Sequence, residues 1–516
     1  MYALLLAVAL GQNTSTSAPA ATPVPSASPA TLGVSTTAIN LNPAQQQTVA
    51  VTGATPPLQI VLDRKLVTAT ADPNGTALTI TAAQATGSAT LHLIDATGAS
   101  TDIAIRVAFN AGTIVGQTTL SVTGNPADPG WLAQEVADWV TRLTQALPGA
   151  TVRIGAISPP AAPLLPDQST QFVVPVQIDG NAQYFDQTGS TTVTVRNLRL
   201  KPPLPTLLFY DDDPEHITQD GVLFRGSLSV ANSTRLYYYH DLTAEPRRLV
   251  VALRANSEDK TSLQLVAAVP SPGGVPDTGQ TLTDAFLPIK MQNESVVLDL
   301  SPGEPYILAD VPMTADQTAA GTADVRVLSG GPVELTVLAV SPGVDPRTLL
   351  DGPPLPDDTH HRSGVFAIAP GYGADTLTYS AGGEDATLYI PDATIGNVNP
   401  SSKGRDDGDY GVVHTIDLTL HNPGTVPAVA YFFFQPPGQI ANGTFLIDGK
   451  IIDIGCVRLP VNYLVTTFNL LPGQTYHTTV QTMVNGGSYL PIEVGVTATP
   501  PVSTPPLGAP DGCFPK

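Results

Sequence analysis

Along much of this chain apolar and polar residues alternate with a period close to two, the period of half-buried β-strands. The clearest case runs from Tyr410 to Pro436. Val413, Ile416, Leu418 and Leu420 are separated by polar residues, Asn422-Pro423-Gly424 stops the run, and a second apolar run extends from Val426 through Val429 to Phe434. Two runs around a turn cluster predict a hairpin, or two strands meeting across a sandwich. An earlier region reads the same way. Arg248–Leu253 leads through Asn256 and a polar turn to Leu263–Val266. Val296–Leu300, Ser301-Pro302-Gly303 and Tyr306 match Thr467–Leu470, Leu471-Pro472-Gly473 and Tyr476, and Gly330-Gly331 before Val333–Val337 matches Gly486-Gly487 before Pro491–Val496. Three matched features in one order predict two copies of one all-β module, about 235–342 and 410–500.

Upstream, Ile39–Pro43, Gln47–Val51, Leu58–Leu62, Ala77–Ile80, Ala89–Ile94 and Asp102–Val107 predict six or seven short strands, separated by turn signals at Thr52-Gly53, Asp72–Gly75, Thr86–Ser88 and Asp95–Gly98. Even spacing of this kind predicts a small sandwich. One long helix is expected, capped by Asp128 with Pro129 at its first position. Trp131, Leu132, Val136, Trp139, Val140, Leu143 and Leu147 form its apolar stripe, which reads as packing against a sheet, and Pro148-Gly149 ends it.

The fold class expected is therefore mainly β: tandem immunoglobulin-like β-sandwiches with one small α+β domain. The boundaries read as a signal-like segment over 1–12, a Thr/Ser/Pro linker over 13–31, a sandwich over 32–111, the α+β domain over 112–200, a linker over 201–205, a sandwich over 206–341, a linker over 342–362, a sandwich over 363–499 and a Pro-rich tail over 500–516. Leu41-Asn42-Pro43, the Asp72–Gly75 turn, and Gly87–Leu91 followed by Asp95–Gly98 resemble bacterial immunoglobulin-like domains over roughly 75 residues. Asn422–Gly424 with Leu471-Pro472-Gly473 resembles bacterial sandwich domains of the CARDB-like kind, and the two copies together resemble tandem modules of uncharacterised secreted bacterial proteins. The first resemblance implies spacer or adhesive units on a cell surface; the second implies no particular activity.

Composition narrows this. Of the 516 residues, 13% are charged, and there are 50 prolines and 45 glycines, a balance that favours turns and sheets. The 35 aspartates against 9 glutamates suit turns and caps rather than helices. A net charge of −21 argues against a nucleic-acid partner, whose phosphates it would repel, and suits a secreted surface. The apolar run Tyr2–Leu10 has the length of a secretory signal core, with small residues at Ala7–Ala9 and Gly11 but no basic residues before it; the alternative is a tail with no fold of its own. No sorting motif or C-terminal membrane segment follows. Cys456 and Cys513 either pair, in an oxidising compartment, or are two free thiols.

Candidate chemistry is sparse. Gly-x-Ser-x-Gly, a Cys–His signature and His-Glu-x-x-His are all missing, and the adjacent His360 and His361 point apart in an extended chain. Calcium is the one ion suggested. Asp406, Asp407 and Asp409 around Gly408, beside Asn397 and Asn399, supply carboxylates on a bent loop, and Asp211 and Asp213, with Asp212 and Glu215, form a second cluster. Both also read as solvated acidic loops. Tyr237 and Tyr239 share one face of a strand and either offer rings to a sugar or pair across the core. The function expected is a non-catalytic, secreted or cell-surface structural or adhesive protein whose sandwiches contact a protein or glycan surface. The alternatives are a carbohydrate-binding or accessory module presenting Tyr237 and Tyr239, a hydrolase, and a subunit that self-associates into a filament or layer.

Overall fold

The computed structural model describes residues 31–358, 360–391 and 404–503, and these form two compact units. The signal-like segment, Asn397, Asn399, Cys513 and most of the tail lie outside the described residues.

The first unit comprises residues up to 114 with 144–153 and 177–188. Its strands are β1 (Gly33–Val34), β2 (Ala38–Leu41), β3 (Gln46–Thr52), β4 (Gln59–Leu62), β5 (Val67–Ala71), β6 (Ala77–Ala82), β7 (Gly87–Ile94) and β8 (Ser100–Val107). They build two four-stranded sheets, β1-β3-β6-β5 and β2-β8-β7-β4, the small sandwich that the sequence predicts, with eight strands rather than six or seven. Alternate residues point inward, so Leu41, Val49, Leu78, Ile80, Leu91, Leu93 and Ile103 are wholly buried between the sheets. Aspartate closes the turns: Asp72 accepts the N–H groups of Thr76 (2.7 Å) and Ala77 (2.8 Å), and Asp95 those of Thr97 (2.9 Å) and Ala99 (3.0 Å).

The chain then runs through β9 (Gly112–Thr113), β10 (Gln117–Thr123), α1 (Pro129–Leu143), β11 (Gln145–Ala146), β12 (Thr151–Ile154), β13 (Ser169–Asp179) and β14 (Gln187–Asn197). Asp128 caps α1 by accepting from Gly130 N (2.7 Å) and Trp131 N (3.0 Å), and Leu132, Val136 and Val140 bury its apolar face. The helix stops at Leu143, short of Leu147, because Gln145–Ala146 pairs with β9 as a strand.

In the second unit one topology occurs twice. The first copy contains β15 (Leu207–Asp211), β16 (His216–Ile217), β17 (Gly221–Leu228), β18 (Ser233–Leu242), β19 (Arg247–Ala255), β20 (Thr261–Ala268), α2 (Val275–Met291), β21 (Ser295–Leu300), β22 (Pro305–Met313), β23 (Gln317–Ser329) and β24 (Val333–Val340). Next come β25 (Ser363–Ala367) and the second copy: β26 (Ala374–Ser380), β27 (Ala386–Ile390), β28 (Val413–His421), β29 (Ala428–Gln435), β30 (Ala441–Ile447), β31 (Lys450–Val457), β32 (Tyr463–Leu470), β33 (Thr475–Met483) and β34 (Ile492–Thr497). The first copy's sheets are ordered β15-β18-β23-β20-β21 and β17-β24-β19-β22; the second copy's are β26-β28-β33-β30-β31 and β27-β34-β29-β32. The orders correspond strand for strand. In both, the first strand pairs parallel to its neighbour (β15 with β18, β26 with β28), and both carry a ladder irregularity in the facing sheet, at Val251/Ala252 and at Phe432/Phe433.

The copies are not separate beads on a string. The linker expected over 342–362 packs back on the first copy: Leu350 is buried with Val222 and Val250, and Arg225 donates to the carbonyls of Leu350 and Gly352. β25, expected to open the last domain, pairs with β15 of the first copy. The α+β boundary at 200 is crossed as well, since β10 pairs antiparallel with β21 and extends the first copy's sheet. Pro-rich composition suggests a spacer, but these apolar residues have a sheet to cover, and covering it wins.

The unexpected element is α2. It lies between the outer faces of equivalent sheets, against β20 and β23 on one side and β30, β31 and β33 on the other. Leu282 and Phe286 are wholly buried there with Tyr237, Tyr239, Val266, Val412 and Met483. Gln280 Nε2 donates to the carbonyls of Gly443 and Ile454, both at 3.4 Å, where β30 and β31 slip register. Gly279 permits this approach: a Cβ there would lie 2.5 Å from Gly486 N.

Candidate functional site

A cavity of about 670 Å³ opens where the two copies meet. β15 and the turn after it supply Tyr210, Asp212 and Glu215; β18 supplies Tyr237 and Tyr239; the strap before β25 supplies His360 and Arg362. The second copy contributes Arg405, Asp407 and Tyr410 from the segment entering β28, and Gly486–Leu490 from the turn between β33 and β34.

Aromatic rings form its floor. Tyr210 and Tyr410 stack with centroids 6.1 Å apart and planes 7° apart, and Tyr237 tilts against both, at 6.0 and 6.3 Å. Their hydroxyls fix the rings: Tyr210 donates to Asp212 (3.2 Å), Tyr239 to the Val275 carbonyl at the start of α2 (2.5 Å), and Tyr410 to the Ser488 carbonyl (2.7 Å). Tyr489 is half exposed. Two glycines let the backbone of the second copy reach these rings. A Cβ on Gly486 would lie 2.2 Å from the Tyr239 ring, and one on Gly411, held at φ +83°, would lie 2.6 Å from Tyr237 Cβ. Tyr237 and Tyr239 do share a face while Tyr238 enters the first copy's core, but both are buried and form a cavity floor rather than an exposed platform.

Charge is concentrated on one wall. Arg362 bridges Asp212 (3.3 Å) and Glu215 (2.9 Å). Burial pushes the Asp212 carboxyl up to about 8, against the pull of His240 and Arg362. Beneath it, His240 Nε2 lies 3.1 Å from Asp211, both without exposure. Burial works against a charged His240 ring, but Asp211, with Asp212 and the Pro214 carbonyl, together outweigh it and raise the imidazole to about 9. Behind the floor, Arg235 makes a bidentate pair with Asp324 (2.6 and 2.8 Å), Lys290 of α2 adds a third contact to Asp324 (3.0 Å), and Arg235 also donates to the Gly411 carbonyl (2.8 Å).

The residues expected to hold calcium are dispersed. Asp406 is buried and accepts Tyr410 N (3.0 Å), with burial pushing its carboxyl up to about 8. Asp407 faces outward and pairs with Arg405 (2.5 Å). Asp409 is buried, accepts from Tyr372 (2.5 Å) and lies 3.6 Å from His414. The three do not converge on one point, because a turn through Gly408 alternates their directions, and among the described residues no metal-sized group contains them. Asp211 is turned to His240 and Ser363 (3.2 Å), whereas Asp213 meets Asp357 and His361 within 4.8 Å. Cys456 lies on β31; its expected partner, Cys513, is outside the described residues. Tyr410 and Tyr489 had no signal of their own in the sequence, since each reaches the cavity only through the pairing of the copies, and Arg362 had none because it arrives with the strap whose strand β25 pairs with β15.

No family model matches the chain, and no curated protein sequence does. Among solved structures it is similar to a tri-modular GH5 (subfamily 4) endo-β-1,4-glucanase from Bacillus licheniformis complexed with cellotetraose, at 12% identity over 32% of this chain and 38% of that one, TM-score 0.15. It thus spans well under half of the glucanase. A mixed-linkage glucan utilization locus protein of Bacteroides ovatus, SGBP-B, in complex with a heptasaccharide is similar at 12% identity over 58% and 72%, TM-score 0.13. Cadherin domains 1–4 of protocadherin gamma B7 are similar at 12% over 55% and 76%, TM-score 0.12. At such scores these likenesses carry no argument about site or activity. The fold itself defines a tandem β-sandwich protein. No helix among the described residues is long and apolar enough to cross a membrane, which says nothing of strands.

Proposed function

We propose that this chain is a non-catalytic, secreted binding or adhesion protein whose ligand seats in the cavity between the two sandwich copies, and that the ligand is a carbohydrate. One observation carries the reading: Tyr210, Tyr237, Tyr239, Tyr410 and Tyr489 line one cavity with Asp212, Glu215, Arg362 and Asp407. Rings stack on the C–H faces of a sugar, while carboxylates and guanidinium groups satisfy hydroxyls that both donate and accept. Catalysis is disfavoured because the wall's charged groups are already engaged: Arg362 ties Asp212 and Glu215, Arg405 ties Asp407, and His360 lies 3.4 Å from Asp358. Asp212 Oδ1 is left without a hydrogen-bond partner, but burial keeps that carboxyl protonated at neutral pH, so it does not serve as a general base. The acidic surface and the apolar N-terminal run support secretion.

Calorimetry of the full chain against a panel of soluble oligosaccharides tests this. Binding by the parent, weakened about fivefold by Tyr489→Ala, is expected, the loss of one stacked ring being worth about 1 kcal/mol. Tyr489 is the variant of choice because it is exposed and its loss spares the core. Absence of binding across the panel would sink the carbohydrate reading, and release of shortened sugars would sink the non-catalytic one.

A further inference from the structure

The geometry points to a divalent transition-metal site formed by Asp213, Asp357 and His361, beside the cavity but independent of what the cavity binds. One ligand atom from each lies within 4.8 Å of the others, close enough for small side-chain rotations to bring all three onto one ion. Asp213 comes from the turn after β15, and Asp357 and His361 from the strap that leads into β25.

Proximity alone would make only an acidic loop. The distinguishing fact is that Asp213 is 3% exposed, and its Oδ2 has no hydrogen-bond partner, while Oδ1 accepts the Asp358 N–H. A buried carboxylate oxygen without a donor is costly, and a cation is the partner it lacks. His361 Nδ1 is also without a hydrogen-bond partner and lies 3.8 Å from Asp357 Oδ2. The neighbouring group of Glu215, Asp358 and His360 is a useful contrast. There Glu215 is held by Arg362 at 2.9 Å, and Asp358 accepts the N–H groups of His360 (2.6 Å) and Glu215 (3.4 Å). Its oxygens are engaged and a guanidinium stands beside them, so it does not take a second ion. Adjacent histidines thus divide, one to each group.

One imidazole with two carboxylates suits Zn2+ or Mn2+ rather than Ca2+, which takes oxygen ligands. Two carboxylates balance the ion's charge, and Asp357, exposed, leaves coordination positions open to water. The bound ion would pin the strap to the first copy and set the wall that carries Glu215, His360 and Arg362.

The test is calorimetric titration of ZnCl2, MnCl2 and CaCl2 into chelator-treated full-length protein, with Co2+ absorption as a second readout. One Zn2+ per chain is expected, with Ca2+ weaker, and Asp213→Asn and His361→Ala each weakening Zn2+ at least tenfold. His361 is partly exposed, so its variant keeps the fold even if the buried Asp213→Asn does not. Co2+ should give a d–d band in the parent that His361→Ala loses. His360→Ala should bind as the parent does. Zn2+ binding that survives both ligand variants, binding lost in His360→Ala instead, or no binding of Zn2+ or Mn2+ would overturn the proposal, as would a preference for Ca2+.

Discussion

The two copies in the second unit share a topology strand for strand, yet equivalent strands are buried differently. Along β18 every residue from Ser233 to His240 is buried, whereas its counterpart β28 alternates, with Ile416, Leu418 and Leu420 inside and Asp417 outside. The cause is coverage. β18 has its own core on one face and α2 with the second copy's residues on the other, while β28 has one fully covered face. Between the third and fourth equivalent strands of this sheet, the first copy inserts α2 and the second closes with Asp448-Gly449. One turn, filled differently, makes the first copy the platform and the second the lid over the cavity. A duplicated module acquires a site when one copy's solvent face becomes the other's contact face.

The largest test of that asymmetry is the buried charge it carries. Arg235, Lys290 and Asp324 compensate one another, and Arg235 also reaches the second copy at Gly411. Burial disfavours the Asp324 charge, but the two cations overcome it and hold its carboxyl below the usual range. Asp324→Asn leaves two buried cations without their counter-charge and is expected to cost about 3–5 kcal/mol in denaturant unfolding. Asp417→Asn, on the exposed face of β28, should change stability by less than about 0.5 kcal/mol. Replacing all three groups together, Arg235→Met, Lys290→Met and Asp324→Leu, should restore most of the loss, because the penalty lies in the unpaired charge. Equal effects at Asp324 and Asp417 would contradict the difference in coverage.

The same difference explains what the sequence shows and what it hides. The duplication is legible in turn chemistry, but two of the three matches that reveal it are one strand out of step. Arg248–Leu253 is β19 and corresponds to β29, not to the β28 run beginning at Val413; Val296–Tyr306 is β21–β22 and corresponds to β31–β32, not to Thr467–Tyr476. Only Gly330-Gly331 and Gly486-Gly487 fall on equivalent turns. Pro-Gly turns close strands at several places in a sandwich, so they report that a turn exists and not which one it is. Strand patterns did not correct the register, since double coverage erases the alternation in one copy alone. The helix α2 is illegible for a related reason. Thr278, Gly279, Thr281 and Thr283 are poor helix formers and Pro288 lies within it. It is helical because Leu282 and Phe286 bury between two sheets, a tertiary fact. The tyrosine face of β18 follows from period two, but nothing in sequence places Tyr410 or Tyr489 beside it.

A smaller effect separates α2 from the hairpin that replaces it. Gly279→Ala would drive a Cβ to within 2.6 Å of the Gly486 backbone N and O, and the helix must move off the second copy. The expected cost is about 1–3 kcal/mol, with faster hydrogen exchange in β30 and β31 and none of that increase in β19. Gly449→Ala meets open space, and only its φ of +73° opposes it, so about 1 kcal/mol and no change at α2 is expected. Exchange that rises equally in β19 would mean α2 does not join the copies.

The smallest effect is one of sign. In the hairpin turn, Asp448 accepts from Thr478 (2.6 Å) and Tyr476 (2.5 Å), bonds that hold its carboxyl below the ordinary 3.8. On α2, by contrast, Asp284 shares the hydroxyl of Thr444 on β30 with Asp453 on β31, at 3.0 Å from each. That hydroxyl has one hydrogen to give and cannot serve both carboxyls at once, and burial together with Asp453 pushes Asp284 up to about 7. The Asp448 contribution is present above 3.8 and is lost as pH falls further. The Asp284 contribution is present below 3.8, where folded and unfolded chains are both protonated, and is lost as pH rises towards 7. Asp284→Asn should therefore flatten the decline of melting temperature between pH 4 and 7 and leave the acid limb unchanged, and Asp448→Asn should do the reverse. Both changes are small because both groups are partly exposed, and the informative outcome is direction: if the two variants shift the same limb, the helix and the hairpin are electrostatically alike, and the asymmetry between the copies is one of packing alone.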